Sequence, residues 1–324
     1  MLKELRKPKV LITRYVPGNA VDRLKEIAEV EMNMEDRDLS RKELLEKIQD
    51  KDGIISVLSD KIDREFLESA TKLKVVANYA VGFNNIDIQE AKKRNVMVTN
   101  TPDVLTEATA DMTWTLLLAV SRRVIDGDRF IRQGDFIGWT PTLLLGSAVS
   151  NKTIGILGMG RIGQAVAERA AGFGMKILYY NRTRLGIEAE KDLQLHYVSK
   201  EDLLKQSDFV SLHVPYNSAT HYLIDKDELD LMKKTAFLIN TSRGPLVNET
   251  ELAKALDENR IAGAGLDVFE EEPKVSVGLM KSPLVTMTPH VGSGTLETRE
   301  KMTELAVENM ISVLSGKEAI TPVW

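Results

Sequence analysis

The stretch T-I-G-I-L-G-M-G-R-I-G, from Thr153 to Gly163, decides the fold of this chain. It joins a short apolar run of the β type to a turn with the spacing G-x-G-x-x-G, at Gly158, Gly160 and Gly163. A helix-forming segment, Gln164 to Phe173, follows the turn. In this context the turn brings backbone N–H groups and a helix N-terminus against a pyrophosphate. The stretch therefore predicts a Rossmann-type dinucleotide site, and the alternatives are a structural turn or an unrelated cofactor fold.

After this stretch the chain keeps alternating between short apolar runs and helix-forming segments. Such alternation is typical of a parallel sheet that is covered by helices on both faces. A long final helix is predicted over residues 296–314. The strands predicted in this half of the chain are residues 153–157, 176–180, 208–213, 235–240, 262–267 and 284–288.

The part of the chain before residue 100 shows the same alternation, so it predicts a second doubly wound domain. Ser40 and Glu43 have the spacing of a capping box at the start of a helix. The 324 residues also exceed the ~100–200 residues that are usual for one domain. The fold class is therefore α/β, with two doubly wound parallel-sheet domains, one of them a Rossmann domain, and a cleft between them. The strands predicted in this first part are residues 9–13, the neighbourhood of residue 31, 53–57, 74–79 and 96–98.

Two segments connect these halves. Residues 103–123 read as one long helix whose second half is almost entirely apolar, which predicts that the helix is buried on several sides. Residues 134–149 contain Gly, Pro and apolar side chains without periodicity, and they predict an extended arm or loop at a subunit interface.

The composition excludes several classes of function. With a net charge of −5 and no basic block, the chain offers no surface for nucleic acid or for an anionic membrane. It has no cysteine, which excludes thiol chemistry and fits a reducing compartment, and its four histidines lack metal-ligand spacing. The longest apolar run, Trp114 to Val120, is far shorter than the ~20 residues of a membrane span. We expect a cytoplasmic protein without a metal.

The carboxyl ends of the strands in the second half bring several reactive side chains to one edge of one sheet. Ligands of open α/β sheets bind at that edge. The candidates for chemistry are Arg243, the acidic run Glu270 to Glu272, and His290. Each has a plainer alternative: a surface cation for Arg243, a structural histidine for His290, and a solvated acidic turn for two of the three glutamates.

The end of the second strand of the glycine-turn sheet indicates which dinucleotide is bound. An acidic side chain at that place binds the ribose 2′-hydroxyl of NAD. Here the chain reads Asn181-Arg182-Thr183-Arg184, without a carboxylate. The two arginines can pair with a 2′-phosphate, which predicts NADP as the cofactor and NAD as the weaker alternative. The other interpretation is that the arginines only solvate a loop.

Taken together, these motifs resemble the D-isomer-specific 2-hydroxyacid dehydrogenases, and most closely their glyoxylate/hydroxypyruvate reductase branch. The resemblance covers nearly the whole chain. It is carried by N-Y-A-V-G-F-N-N-I-D from Asn78, T-E-A-T-A-D from Thr106, the glycine turn, L-H-V-P from Leu212, I-N-T-S-R-G from Ile239, G-L-D-V-F-E-E-E-P from Gly265 and T-P-H-V-G-S from Thr288.

The resemblance implies the roles of particular residues. Arg243, Glu272 and His290 are implied as the catalytic trio. The implied substrate contacts are Leu58, Val81, Gly82, Arg243 and His290. The implied cofactor contacts are Thr109, Gly158, Met159, Gly160, Arg161, Ile162, Gly163, Asn181, Arg182, Thr183, His213, Val214, Pro215, Thr220, Thr241, Ser242, Arg243, Asp267, His290 and Gly292.

The alternation of elements, with the final helix returning to the first domain, predicts a domain division, and the resemblance implies an assembly. Residues 1–100 and 293–324 would form a flavodoxin-like substrate domain, and residues 101–292 the dinucleotide-binding domain. Family members are usually dimers, and Trp139 sits in the arm that would reach a partner.

The expected reaction is hydride transfer from NADPH to a small 2-oxo acid such as glyoxylate or hydroxypyruvate. Arg243 would stabilise the developing oxyanion, His290 would protonate it, and Glu272 would orient His290. A D-lactate or other D-2-hydroxyacid dehydrogenase with the same trio is the enzymatic alternative. A nicotinamide-sensing regulatory protein of the same fold is the alternative from another class.

Overall fold

The structure, a computed structural model, describes residues 6–324. The chain divides into two compact units: unit 1 is the chain up to Leu105 together with Gly294–Trp324, and unit 2 is Thr106–Ser293. The strands are β1 (Lys9–Ile12), β2 (Glu29–Met32), β3 (Gly53–Ser56), β4 (Val75–Asn78), β5 (Met97–Thr99), β6 (Thr153–Leu157), β7 (Lys176–Tyr180), β8 (Leu195–Tyr197), β9 (Phe209–Leu212), β10 (Phe237–Asn240), β11 (Gly263–Leu266) and β12 (Val285–Met287).

The helices alternate with these strands. They are α1 (Ala20–Ile27), α2 (Arg41–Ile48), α3 (Arg64–Ser69), α4 (Ile88–Lys93), α5 (Thr106–Ser121), α6 (Val124–Arg132), α7 (Arg161–Gly172), α8 (Ile187–Asp192), α9 (Lys200–Gln206), α10 (Lys226–Leu231), α11 (Glu249–Asp257), α12 (Val277–Lys281) and α13 (Leu296–Leu314), with a short 3-10 turn at Gly244–Leu246.

Unit 1 contains a five-stranded sheet in the order β2-β1-β3-β4-β5. Every neighbouring pair is parallel, so all carboxyl ends lie at one edge. The central strands β3 and β4 are buried at every position, as expected when helices cover both faces. The strand order reverses between β1 and β3, which makes this the topological switch point of the unit.

Unit 2 contains a seven-stranded parallel sheet in the order β12-β11-β10-β9-β6-β7-β8. The order reverses between β6 and β9, so the glycine turn after β6 lies at the switch point where dinucleotides bind in Rossmann folds. The apolar half of α5 packs against β10 and β11 of this sheet. Its buried side chains include Trp114, Leu116 and Leu117, which confirms the prediction that this helix is buried on several sides.

Most predicted elements are confirmed. Helix α6 and strand β8 were missed. The capping box at Ser40 is present, with Glu43 reciprocating, and residues 134–149 contain no helix or strand. The long helix predicted to reach residue 123 ends at Ser121, because Arg123 adopts a left-handed backbone with φ of 55° and a separate helix, α6, begins after it. The missed strand is β8, an edge strand on which His196 is exposed.

The described helices were also compared with the length and hydropathy of a membrane span. Among residues 6–324, no helix combines enough length with enough apolar character to cross a bilayer.

Candidate active site

The glycine turn after β6 depends on two very close backbone approaches. Gly158 has φ of +97°, and a Cβ there would lie 2.5 Å from the carbonyl carbon of His213 at the end of β9. A Cβ on Gly163 would lie 2.2 Å from the carbonyl oxygen of Gly158. Only glycine fits at these two positions. Because neither residue has a side chain, the turn can pack closely between β6, β9 and α7.

Gly160 differs, because nothing lies within 4 Å of the Cβ it would carry. It is the N-cap of α7, no side chain caps the helix, and the first turn has no acidic residue. Within residues 6–324 the Gly160 N–H donates to no acceptor. An open approach, a donor without an acceptor and the positive end of a helix fit a dinucleotide pyrophosphate.

The loop after β7 carries the four residues predicted to lie near the adenosine ribose, Asn181 to Arg184. Their surroundings in the structure differ. Asn181 accepts the N–H of Met159 at 2.7 Å, so it holds the glycine turn. Arg182 and Thr183 are exposed, and no hydrogen bond or ion pair to either is found in the described part of the chain. These two side chains remain available to a 2′-phosphate.

Arg184 requires a correction, because its guanidinium is already paired. Its Nε and Nη2 each lie 2.7 Å from a carboxylate oxygen of Glu190, in a bidentate arrangement. Tyr179 also donates to Glu190, at 2.6 Å. The bond from Arg184, followed by the one from Tyr179, lowers the pKa of Glu190 to about 2. The pair therefore stays charged and closes the loop, and Arg184 is not the free cation that the sequence suggested.

His213, at the end of β9, is a neutral structural group. Burial lowers its pKa to about 3, and its Nε2 lies 2.7 Å from Ser211 Oγ. Next to it, the carbonyl of Val214 accepts the Ser242 hydroxyl at 2.7 Å, which ties the ends of β9 and β10 together. His213 therefore supports the end of β9, its lowered pKa does not suit a general acid, and the cofactor contact expected of it stays a prediction.

The end of β10 carries Arg243 on a backbone that its neighbours hold. Asn240 donates to the Arg243 carbonyl at 2.9 Å, and the next residue, Gly244, packs so closely that a Cβ would lie 1.9 Å from the Phe269 carbonyl. Arg243 Nη1 donates to the Ser242 carbonyl at 2.7 Å. Burial lowers the pKa of the guanidinium while the charge of Glu272 raises it, and Arg243 stays positive.

Glu272 and His290, two of the predicted catalytic residues, are in direct contact in unit 2. His290 Nδ1 lies 2.7 Å from Glu272 Oε2, and Glu272 Oε1 accepts the N–H of Phe269 at 2.9 Å. Burial alone would raise the pKa of Glu272, but the bond and charge of His290, with help from Arg243, bring it below its ordinary value. The carboxylate is thus ionised, it fixes the ring through Nδ1, and it leaves Nε2 outside this bond.

Asp267 organises the loop that carries His290. Its carboxylate accepts the Thr288 hydroxyl at 2.6 Å, the Val291 N–H at 2.8 Å and the Gly292 N–H at 2.7 Å, while its own carbonyl accepts the His290 N–H at 2.7 Å. The side chain is 0% exposed. The Asp267 carboxylate therefore bonds to the loop that carries His290. The cofactor contact expected of Asp267 stays a prediction.

The acidic run is not one solvated turn, as was expected for two of its members. Glu270 accepts the Glu249 N–H at 2.7 Å, and Glu249 accepts the Glu270 N–H at 2.6 Å. This reciprocal pair anchors the segment that presents Glu272. Glu271 and Glu272 are both exposed, and of these two only Glu272 contacts His290.

In unit 1, the predicted substrate contacts lie on two loops at the carboxyl edge of the sheet. Leu58 follows β3, and Val81 and Gly82 follow β4. Within residues 6–324 neither the Val81 N–H nor the Gly82 N–H donates a hydrogen bond. Two adjacent free donors of this kind suit a carboxylate.

Several supporting residues escaped the sequence analysis. They are Ser211, Asn240, Glu249 and, in unit 1, Thr13 and Asp60, and their partners are too distant in sequence to be read from spacing. The remaining predicted contacts, Thr109, Pro215, Thr220 and Thr241, surround the ends of α5, β9 and β10. In the described part of the chain, no three His, Asp or Glu side chains gather as metal ligands do.

Comparison with known proteins gives consistent matches. The family model described as the NAD-binding domain of D-isomer-specific 2-hydroxyacid dehydrogenases matches residues 114–292. The chain is 51% identical over 315 residues to a glyoxylate reductase of Thermococcus litoralis, covering 96% of this chain and 95% of that protein. A glyoxylate reductase of Pyrococcus furiosus is also 51% identical, with 96% and 94% covered.

A solved structure extends this comparison to the fold. The NADPH-dependent glyoxylate/hydroxypyruvate reductase of Sinorhizobium meliloti, in complex with NADP and malonate, is similar with a TM-score of 0.86 and 33% identity. The similarity covers 98% of this chain and 97% of that one.

Proposed function

The chain belongs to the D-isomer-specific 2-hydroxyacid dehydrogenase family, and we propose that it reduces glyoxylate or hydroxypyruvate with NADPH as the preferred cofactor. The observation that carries the proposal is the 2.7 Å bond between His290 Nδ1 and the ionised Glu272. Such a pair suits a reaction in which hydride addition to a ketone must be completed by a proton. The bound nicotinamide supplies that hydride.

His290 is the proposed general acid. Since Glu272 holds Nδ1, Nε2 is the nitrogen that delivers the proton to the ketone oxygen. The negative charge of Glu272 stabilises the imidazolium before transfer, and the Phe269 N–H keeps that carboxylate in place. The ring is therefore held in one orientation by an ionised partner.

Arg243 is the proposed electrostatic partner of the substrate. Its burial makes a positive charge strongly effective on a neighbouring oxygen, because little solvent screens it. In unit 1, we assign the substrate carboxylate to the free N–H groups of Val81 and Gly82, with Leu58 as an apolar contact. The groups proposed for the substrate are thus two backbone donors in unit 1 and, in unit 2, one guanidinium and one acid–carboxylate pair.

A substrate panel tests the proposed activity. Glyoxylate, hydroxypyruvate, pyruvate and phenylpyruvate are each assayed with NADPH and NADH in steady state. We expect the highest kcat/KM with glyoxylate or hydroxypyruvate. A higher value with pyruvate or phenylpyruvate would support a D-lactate or aromatic 2-hydroxyacid dehydrogenase, and cofactor binding without turnover would support a nicotinamide-sensing regulator.

The proposed preference for NADPH is supported by the loop after β7. That loop offers the exposed Arg182 and Thr183 and no carboxylate. Arg182→Ala is expected to raise KM for NADPH about tenfold or more while KM for NADH changes little. Arg184→Ala is the matched control, because its guanidinium is already committed to Glu190. If both substitutions change the ratio of KM for NADPH to KM for NADH equally, this assignment is contradicted.

We also propose that the protein is a homodimer. The support is an apolar surface on α6 and the arm that follows it: α6 buries no residue, Ile137 is 99% exposed and Trp139 is 80% exposed. Exposed apolar patches of this kind mark interfaces. Light scattering is expected to give twice the chain mass, and Ile137→Asp with Trp139→Ser is expected to give monomers. A monomeric wild-type chain at micromolar concentration would contradict the proposal.

The compartment is a separate proposal. We infer a cytoplasmic location from a sequence that contains no cysteine, which fits a reducing environment. Cell fractionation with an antibody to the chain tests this, and enrichment in a membrane or secreted fraction would contradict it.

A further inference from the structure

The switch point of the unit 1 sheet, between β1 and β3, is filled by a carboxylate of the chain itself. Open α/β sheets bind ligands where the strand order reverses, just beyond the carboxyl ends of the strands. In this sheet the residues at that place are Thr13, which follows β1, and Val57 to Asp60, which follow β3. Asp60 is 3% exposed, so its carboxylate is buried at this switch point.

Asp60 joins the ends of β1 and β3. Its Oδ2 accepts the Thr13 hydroxyl at 2.5 Å and the Val57 N–H at 2.8 Å. Its own N–H donates to the Val57 carbonyl at 3.1 Å, which closes the turn of residues 57–60. Leu58 lies within this turn, so the carboxylate fixes the backbone on which Leu58 is carried.

The same turn is bonded to the loop after β4. Asn85 Nδ2 lies 3.0 Å from the Asp60 carbonyl and 3.3 Å from the Val57 carbonyl. At the other end of that loop, Asn78 Nδ2 donates to the Gly82 carbonyl at 2.8 Å. The segment with the free Val81 and Gly82 N–H groups is therefore held at both ends, and one end is held through Asp60.

Burying the Asp60 carboxylate costs free energy of folding. Burial raises the pKa of Asp60 to about 6, and the bonds from Thr13 and Val57 offset the effect only in part. The charged groups that face Asp60 are Asp38, which raises the pKa further, and Arg14, which lowers it. Arg14 is paired with Asp38 at 2.5 Å, so Asp60 has no counter-ion of its own. A buried carboxylate without a counter-ion points to a specific task.

We propose that Asp60 is a positioning residue for substrate binding, which sets the turn that carries Leu58 and, through Asn85, the loop that presents the Val81 and Gly82 N–H groups. The inference rests on the proposed function, because it uses the assignment of the substrate carboxylate to that loop. Asp60 touches neither substrate nor cofactor in this account. Its effect is on the affinity for the oxo acid and not on the chemical step.

Steady-state kinetics of Asp60→Leu and Asp60→Asn with glyoxylate and NADPH tests the proposal. Leucine removes both acceptor bonds, and we expect KM for glyoxylate to rise about 10- to 100-fold with kcat within about threefold of wild type. Asparagine can still accept both bonds through its amide oxygen, and it is expected to keep KM within about threefold. The dissociation constant of NADPH, from fluorescence titration, should be unchanged in both. A merely structural role would lower kcat and the NADPH-binding fraction together.

Thr13→Val tests the same proposal if Asp60→Leu does not fold. It removes one hydroxyl that donates to Asp60, and we expect KM for glyoxylate to rise about fivefold. Thr99→Val is the matched control, since Thr99 is 1% exposed and its hydroxyl has no partner within residues 6–324. Equal KM values for the two threonine variants would overturn the inference alone. A wild-type chain that reduces neither glyoxylate nor hydroxypyruvate would overturn the proposed function, and the inference with it.

Discussion

Replacing Gly158 by alanine is expected to destabilise unit 2 by about 2–5 kcal/mol. Two costs contribute to this value. At φ of +97° a Cβ is strained, at about 1–2 kcal/mol. The same Cβ would lie 2.5 Å from the carbonyl carbon and 2.6 Å from the carbonyl oxygen of His213, and moving that backbone adds about 1–3 kcal/mol. For a unit of this size we expect Tm to fall by roughly 5–15 °C.

Gly160→Ala separates this effect from the loss of a ligand contact. Its Cβ meets nothing within 4 Å, and its backbone, with φ of −79° and ψ of −165°, is open to any residue. We expect Tm without ligand to stay within about 2 °C of wild type, while the dissociation constant of NADPH rises about tenfold or more, because the methyl group occupies the approach to the helix N-terminus.

Thermal unfolding without cofactor and fluorescence titration with NADPH, on both variants, decide between these effects. The expected pattern is loss of stability for Gly158→Ala and loss of affinity with retained stability for Gly160→Ala. If Gly158→Ala unfolds at the wild-type temperature, the close approach between the turn and His213 does not constrain the fold, and the packing argument is refuted.

Three further predictions concern the acid–carboxylate pair and Asp60. His290→Gln is expected to lower kcat about 10²–10⁴-fold with NADPH binding intact, and an unchanged kcat would remove His290 from the role of general acid. Glu272→Gln keeps a hydrogen-bond partner but loses the charge, so the alkaline limb of the kcat/KM profile is expected to move to lower pH; an unmoved limb would contradict the electrostatic role. The folded-state pKa of Asp60 is raised from 3.8 to about 6, so its stability cost is absent below about pH 4, grows between about pH 4 and pH 6, and levels off above that range. At about 1.4 kcal/mol per pKa unit that cost reaches about 3 kcal/mol, and Asp60→Asn should gain that much stability relative to wild type between pH 4 and pH 7, a trend that Tm measurements across this range would show or refute.

Local sequence patterns were sufficient for the order of elements. The T-I-G-I-L-G-M-G-R-I-G stretch places a strand, a turn and a helix, and the capping box at Ser40 is read from residues that contact each other within one turn. Patterns failed where the deciding interaction is not local. Strand β8 buries only Leu195 fully, so its sequence lacks the apolar run of a buried strand, and it pairs only with β7 at the edge of the sheet. The helix break at Arg123 carries no Gly or Pro to announce it.

The candidate site shows the same limit. Strand ends predicted that Arg243, the acidic run Glu270 to Glu272 and His290 lie at one sheet edge, because that follows from parallel topology; only the family resemblance selected Glu272. The engagement of Arg184 by Glu190 was not predictable, since a charge near a predicted ligand looks the same in sequence whether it is free or paired. The contact of Thr13 with Asp60 joins residues from separate strands, and only the strand order of the folded sheet brings them together.

Unit 1 consists of two separate stretches of the chain, and this limits when it can fold during synthesis. Helix α13 supplies core side chains to that unit, among them Met302, Val307 and Met310, and Gly53 packs so tightly that a Cβ would lie 2.3 Å from Met310 Sδ. During synthesis, unit 2 is complete before α13 has been made. The apolar faces of β3 and β4 therefore stay uncovered until α13 has left the ribosome, and a nascent chain that stalls after residue 293 would expose them to aggregation or to chaperones.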